Sequence, residues 1–264
     1  MHVRLTAALA ALSISAATSF AANVTLVDTT AGTAVNDGIV GLPGEYSQST
    51  AGINSGFGDV IGLGSSFAID SDTAGNVNIG IASAGSFNDA AVIYIDSIGG
   101  VGLNSTTTIE DTSDPGRSAI SGDGGGNESE ITFAPTFFAD FAIAIDTGFA
   151  GLFQINSDGS LTFVASANRN AADSNNTEID FNLSNIGLSA GDSFDFVVTY
   201  LNSSNAFRSD EFVGVSGTTV PSGNIGQNPV TLLTNDFATF TAIPEPLSVL
   251  AGGGLLGLIV LRRR

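Results

Sequence analysis

What most limits how this chain can fold is a two-residue rhythm of apolar side chains, recurring in short segments and broken each time by turn-forming residues. Val77, Ile79 and Ile81 alternate with Asn78 and Gly80, and Phe141, Ile143 and Ile145 alternate with alanines. Ile179, Phe181 and Leu183 alternate with Glu178, Asp180 and Asn182, while Phe194, Phe196, Val198 and Tyr200 form a further set behind the turn signal Ser189-Ala190-Gly191-Asp192. Successive side chains of a strand point to opposite faces, so each segment reads as a strand with one face in the core and the other in solvent. Residues 91–95 are almost continuously apolar and suit a strand buried on both faces. Asn156-Ser157-Asp158-Gly159-Ser160, between apolar segments 152–155 and 161–164, reads as a hairpin whose glycine takes a positive φ.

Ten or more such strands predict an all-β fold, a β-sandwich of jelly-roll-like form, over residues 22–243. Residues 23–60 and 216–243, rich in Gly, Ser, Thr and Asn, are expected to add edge strands or loops. The stretch 106–130, containing Gly124-Gly125-Gly126, is expected as a long mobile loop. No fixed-period repeat points to a solenoid or propeller.

The two ends differ from this body. Residues 1–21 carry His2 and Arg4, then an apolar run, then Ser19-Phe20-Ala21, which reads as a signal peptide cut by signal peptidase between Ala21 and Ala22. Near the other end Pro244-Glu245-Pro246 precedes an apolar run at 247–261 and Arg262-Arg263-Arg264. A helix over that run is about 22 Å long, short of the roughly 30 Å hydrocarbon layer, and Gly252, Gly253, Gly254 and Gly257 loosen it. The three arginines act as a membrane stop on the cytoplasmic side, which leaves Pro244 to Pro246 at the outer face. This tail resembles the PEP-CTERM sorting signal of Gram-negative bacteria. The resemblance implies an exosortase-like membrane transpeptidase as partner and transient inner-membrane anchoring through a C-terminal hydrophobic helix. An ordinary membrane anchor is the alternative, and both place the protein at the cell envelope.

Charge and residue types exclude several functions. All seven basic residues are arginines, and only Arg117, Arg169 and Arg208 lie in the body, against 26 carboxylates. Such a surface repels nucleic acid and anionic lipid headgroups. There is no Cys, no Lys, and no His beyond His2, so a mature body holds neither a Ser-His nor a Cys-His pair nor a Lys base. The expectation is no enzyme, with a glycosidase built on carboxylates alone as a distant third reading. No cofactor is expected beyond a structural calcium ion. Asp70-Ser71-Asp72-Thr73-Ala74-Gly75 spaces oxygens before a glycine, but Ile81 stands where an EF-hand places its closing Glu. An irregular site from Asp70, Asp72 and Asn76, or from Asp96 with acids of the 111–123 loop, is the form calcium binding would take.

Val92-Ile93-Tyr94-Ile95-Asp96, Arg117-Ser118-Ala119-Ile120 and Ala139-Asp140-Phe141-Ala142-Ile143-Ala144-Ile145, continued by Gly191-Asp192 and Ser209-Asp210-Glu211, resemble the DOMON-like sandwich related to family-nine carbohydrate-binding modules. That resemblance implies the fold. Sugar clamping in the group commonly uses exposed aromatic rings, often Trp, and this chain has none. The leading functional expectation is an exported cell-surface or extracellular-matrix structural and interaction protein, and the alternative is a binding module for exopolysaccharide.

Overall fold

The computed structural model describes residues 24–30 and 32–245. The expected signal segment, the Ala21/Ala22 cleavage point, Pro246, the apolar tail and Arg262, Arg263 and Arg264 lie outside them. Among the described residues no helix is long and apolar enough to cross a membrane.

In chain order the strands are β1 (Val24–Val27), β2 (Gln48–Thr50), β3 (Ser66–Ser71), β4 (Asn76–Ala82), β5 (Ala90–Asp96), β6 (Asp123–Gly124), β7 (Asn127–Glu128) and β8 (Ile131–Thr132). They continue as β9 (Phe141–Ile145), β10 (Ala150–Ile155), β11 (Leu161–Ser166), β12 (Asn176–Asn182), β13 (Ser193–Asn202), β14 (Phe207–Val213), β15 (Val230–Thr231) and β16 (Ala238–Thr241), with one short helix, α1 (Pro115–Ser121). The fold is all-β, as the alternation requires. An eight-stranded sheet runs β1-β16-β13-β5-β9-β10-β11, with β14 also paired to β13, and a four-stranded sheet runs β12-β4-β3-β2. The 156–160 hairpin forms as expected, with Gly159 at φ +84°.

One core lies between the two sheets. Phe67, Ile69, Val77, Ile79, Ile81, Ile179 and Phe181 of the smaller sheet meet Ile93, Ile95, Ile143, Leu152, Phe194, Phe196 and Val198 of the larger. Phe67 and Phe196 stack across it with ring centroids 5.2 Å apart. A second core covers the other face of the large sheet, where Val92, Tyr94, Ala142, Ala144, Phe153 and Val197 pack under Ala119, Ile120, Phe133, Phe137 and Phe237. This explains the unbroken apolar run of β5, which is buried along its whole length. It also corrects the one-faced expectation for β9, whose intervening Ala142 and Ala144 are as buried as its isoleucines.

Two further expectations are overturned. The 106–130 stretch is a built lid over the second core. Asp114 caps α1 by accepting the Arg117 amide at 2.9 Å, Gly122 ends it in the left-handed region, and β6 and β7 follow as a small hairpin. The polar face of β12, expected in solvent, is partly covered by residues 32–47: Glu178 is fully buried, while Asp180 and Asn182 are half-buried. The Glu178 carboxylate accepts from the Tyr46 hydroxyl at 2.5 Å and from the amides of Asp37 at 2.9 Å and Gly38 at 2.6 Å. Gly80 on the adjacent β4 makes room, since a Cβ there would sit 2.9 Å from both Tyr46 Cζ and Val40 Cγ1.

Buried carboxylates hold other connections in the same way. Glu211 on β14, fully buried, accepts from four amides: Phe57 at 2.7 Å, Asp59 at 3.2 Å, Val60 at 2.8 Å and Ile61 at 2.9 Å. Asp210 beside it accepts from Gly56 at 2.7 Å and Gly223 at 2.5 Å. Charge-assisted bonds of this kind are stronger than neutral ones, and leaving their donors unpaired in the interior is costly. Glu211→Ala should therefore lower the free energy of unfolding by about 3 kcal/mol in urea titration. The amides of Val60 and Ile61 should lose hydrogen-exchange protection; a loss under about 0.5 kcal/mol would mean that water replaces the carboxylate.

Candidate functional site

The most distinctive surface feature lies at the β11 end of the large sheet. β11 is an edge strand, and Phe163 at its centre pairs in register with Phe153 of β10. Phe153 is buried, but Phe163 is 48% exposed and Phe149, just before β10, is 45% exposed. Phe149 and Phe163 stack at 6.4 Å with their planes 29° apart, and Phe153 meets Phe163 edge-on at 5.6 Å. A Cβ on Gly151 would stand 2.7 Å from Phe149 Cε1 and 2.8 Å from Phe153 Cε2, so only glycine lets these rings close together.

Facing the rings is the N-terminal turn of α1. Arg117 holds its guanidinium carbon 5.0 Å from the Phe153 centroid, donates to the Leu161 carbonyl at 2.6 Å, and pairs with Asp111 and Asp114. Desolvation pushes the Asp111 carboxyl up, but bonds from Ser113 and the Arg117 guanidinium outweigh it and hold the group below the usual carboxylate range. Asp146 fixes the opposite wall by accepting from the amides of Gly148 and Phe149, both at 2.7 Å. Asp114, Arg117, Asp146 and the three rings, with Pro115 and Gly116, line a cleft of about 360 Å³. A second cleft of about 510 Å³ shares Asp114 and Pro115 with it and is lined further by Ser113, Gly124, Gly125, Ser203 and Ser204. The two clefts adjoin at Asp114 and Pro115, with ring faces in one and hydroxyl and peptide groups in the other. Apolar faces beside fixed polar groups suit a ligand with both C–H surfaces and hydroxyls.

The residues singled out in the sequence are scattered. Pro244 and Glu245 are exposed just past β16, after Ala242 donates to the Asp192 carbonyl at 3.0 Å and Ile243 to Ser71 Oγ at 2.9 Å. Asp72 and Asn76 meet in the β3–β4 turn, where Asp72 accepts from the Asn76 side chain at 2.7 Å and its amide at 2.9 Å. Asp70 turns instead to the amides of Thr33 and Ala34, at 3.0 and 3.3 Å, so its carboxylate and that of Asp72 serve separate segments. Asp96 has Asp140 and Asp195 as its acidic neighbours, whereas Asp111 is held by Arg117. A grouping that the sequence did not suggest is Asp37, Glu45 and Glu178, each offering an oxygen within 4.8 Å of the others. Burial pushes the Glu178 carboxyl up, and desolvation together with Glu178 pushes the Tyr46 hydroxyl up. Both oxygens of Glu178 already accept hydrogen bonds there.

Phe149 and Phe163 were not separable from core residues by pattern, because Phe163 shares the alternation of Leu161, which is buried. Only the position of β11 at the sheet edge exposes it. No family model matches the chain, and a search of curated proteins found no match. Gly151→Ala should cost about 2 kcal/mol through overpacking and shift the ring-proton resonances of Phe149 and Phe153. An unchanged aromatic spectrum would show that the rings do not depend on this glycine.

Proposed function

We propose that the protein is an exported cell-surface or extracellular-matrix interaction protein, sorted through a PEP-CTERM-like tail by an exosortase-like transpeptidase and displayed as an acidic, jelly-roll-like β-sandwich. Support for the sandwich comes from the single core shared by the two sheets. Support for the sorting reading comes from the exposure of Pro244 and Glu245 immediately beyond the anchored amide of Ile243, where the order Pro-Glu-Pro disfavours helix and leaves the site open to a processing enzyme. Glu245→Ala should leave the unfolding midpoint within about 0.5 kcal/mol of the parent, since the residue has no core contact to lose. In a host carrying the matching enzyme it should accumulate as an uncut precursor in the inner membrane. Processing at the parental rate would favour a plain membrane anchor.

The aromatic cleft favours a second reading, in which the body's interaction is with exopolysaccharide. Phe149 and Phe163 offer ring faces to the C–H faces of a sugar, while Arg117, Asp114 and Asp146 border them with donors and acceptors for hydroxyls. Binding is the role here, not hydrolysis. On a glycan array, Phe149→Ala and Phe163→Ala should each reduce binding about tenfold, the equivalent of roughly 1.4 kcal/mol, without unfolding the protein. Glycan retention by the double variant at the parental level would remove the cleft from the function.

A further inference from the structure

The outer face of the large sheet ends in a row of acids. Asp195 on β13 is in register with Asp96 on β5, and Asp140 follows in the next position at the start of β9, its amide bonded to the Ile95 carbonyl at 3.0 Å. Directly opposed residues on neighbouring strands hold their Cβ atoms about 5 Å apart, and like charges there repel. Asp140 is relieved: its carboxylate accepts from the amide and hydroxyl of Ser97 at 2.9 and 2.8 Å and from the Ile98 amide at 3.1 Å.

Asp96 is not relieved. It is 6% exposed, its Oδ2 accepts from the Phe138 amide at 2.8 Å, and its buried Oδ1 has no partner. Asp195 accepts from Thr239 Oγ1 at 2.6 Å on one oxygen. Among the described residues no arginine reaches the pair: Arg117 is bound to Asp111 and Asp114, Arg208 to the Ser129 carbonyl and Thr199, and Arg169 lies over Phe87. Asp96 and Asp195 instead border a cleft of about 250 Å³ open to solvent, whose rim carries Ser97, Thr136 and Ser193. Burial, with Asp140 and Asp195 adding to it, pushes the Asp96 carboxyl up to about 6. One backbone amide is thus the only donor the Asp96 carboxylate meets among the described residues.

We propose that Asp96 and Asp195 bind a divalent cation, of which calcium is the best match, with hydroxyl and water oxygens at the cleft rim completing its shell. Two carboxylates match its charge, the unpartnered Asp96 Oδ1 supplies a dry ligand, and a hard cation accepts the mixed oxygens of Ser97, Thr136 and Ser193. The site differs from the pairing of Asp96 with the 111–123 acids anticipated from sequence, because β13 and β9, distant in the chain, bring the companions.

The test uses the full-length protein, stripped with chelator and titrated with calcium chloride at pH 7 by calorimetry and thermal unfolding. Calcium should raise the unfolding temperature by several degrees, and Asp96→Asn and Asp195→Asn should each weaken its affinity at least about tenfold. Asp195 is half-buried and its substitution is the milder, so it keeps the test informative where Asp96→Asn folds poorly. Glu45→Gln, at the other acidic grouping, should leave calcium binding unchanged; loss of binding in Glu45→Gln alone would overturn the assignment. So would the absence of any calcium response.

Discussion

The structure depends on carboxylates that accept hydrogen bonds from the backbone. In a body with three arginines and 25 acids, a buried Asp or Glu has almost no cationic side chain to meet, and an unpaired charge in the interior is prohibitive. Amide donors take the place of cations. Glu211 gathers the amides of Phe57, Asp59, Val60 and Ile61, Asp210 those of Gly56 and Gly223, Glu178 those of Asp37 and Gly38, and Asp236 those of Ser216 and Leu233. Several amides around one carboxylate offset its desolvation, and the same bonds satisfy loop groups that would otherwise lie unpaired under neighbouring layers. Glu178, Asp210 and Glu211 thus fasten long connections to strands, and Asp236 ties two connections together.

Arg208 shows the complementary solution. It is fully buried, yet it donates to the Ser129 carbonyl at 2.9 Å and to Thr199 Oγ1 at 3.0 Å, and no carboxylate receives it. Burial lowers its pKa, with Tyr94 opposing that shift. Its role is to tie β14 to the lid that carries α1, since Ser129 lies just beyond the α1–β7 segment and Gly122 leaves space for the guanidinium. The lid in turn presents Asp114 and Arg117 to Phe153. Arg208 and the aromatic cleft thus both contact the segment that carries α1.

Both candidate sites sit where this scheme is interrupted. At the cleft, the sheet ends at β11 and the described residues leave Phe149 and Phe163 about half exposed, so apolar surface stays in water beside fixed charges. At the end of β5, one amide serves Asp96 where Glu211 has four, and half of its acceptor capacity is unused. Buried acceptors left without a donor are few among the described residues, Asp59 Oδ1 and Asp70 Oδ1 included, and Asp96 Oδ1 is the one of these beside a second, half-buried carboxylate at an open cleft.

The all-β class was legible from alternation alone, because the pleat ties side-chain direction to residue parity within a single strand. The 156–160 hairpin and the buried β5 were legible for the same local reason. Which face of a strand is covered depends on what lies across it, and for β12 that is a segment some 130 residues earlier in the chain, so Glu178 read as a solvent residue and is a fully buried anchor. The 106–130 stretch read as loose because its glycines favour turns, yet its apolar Ile109, Ala119 and Ile120 close the second core. The tail motif and the charge balance are properties of composition and order and needed no fold. The cleft of Phe149 and Phe163 and the Asp96–Asp195 pair could come only from tertiary structure. Exposure of Phe163 follows from edge position, and the acid pair follows from strand register, both set by pairings between residues far apart in the chain.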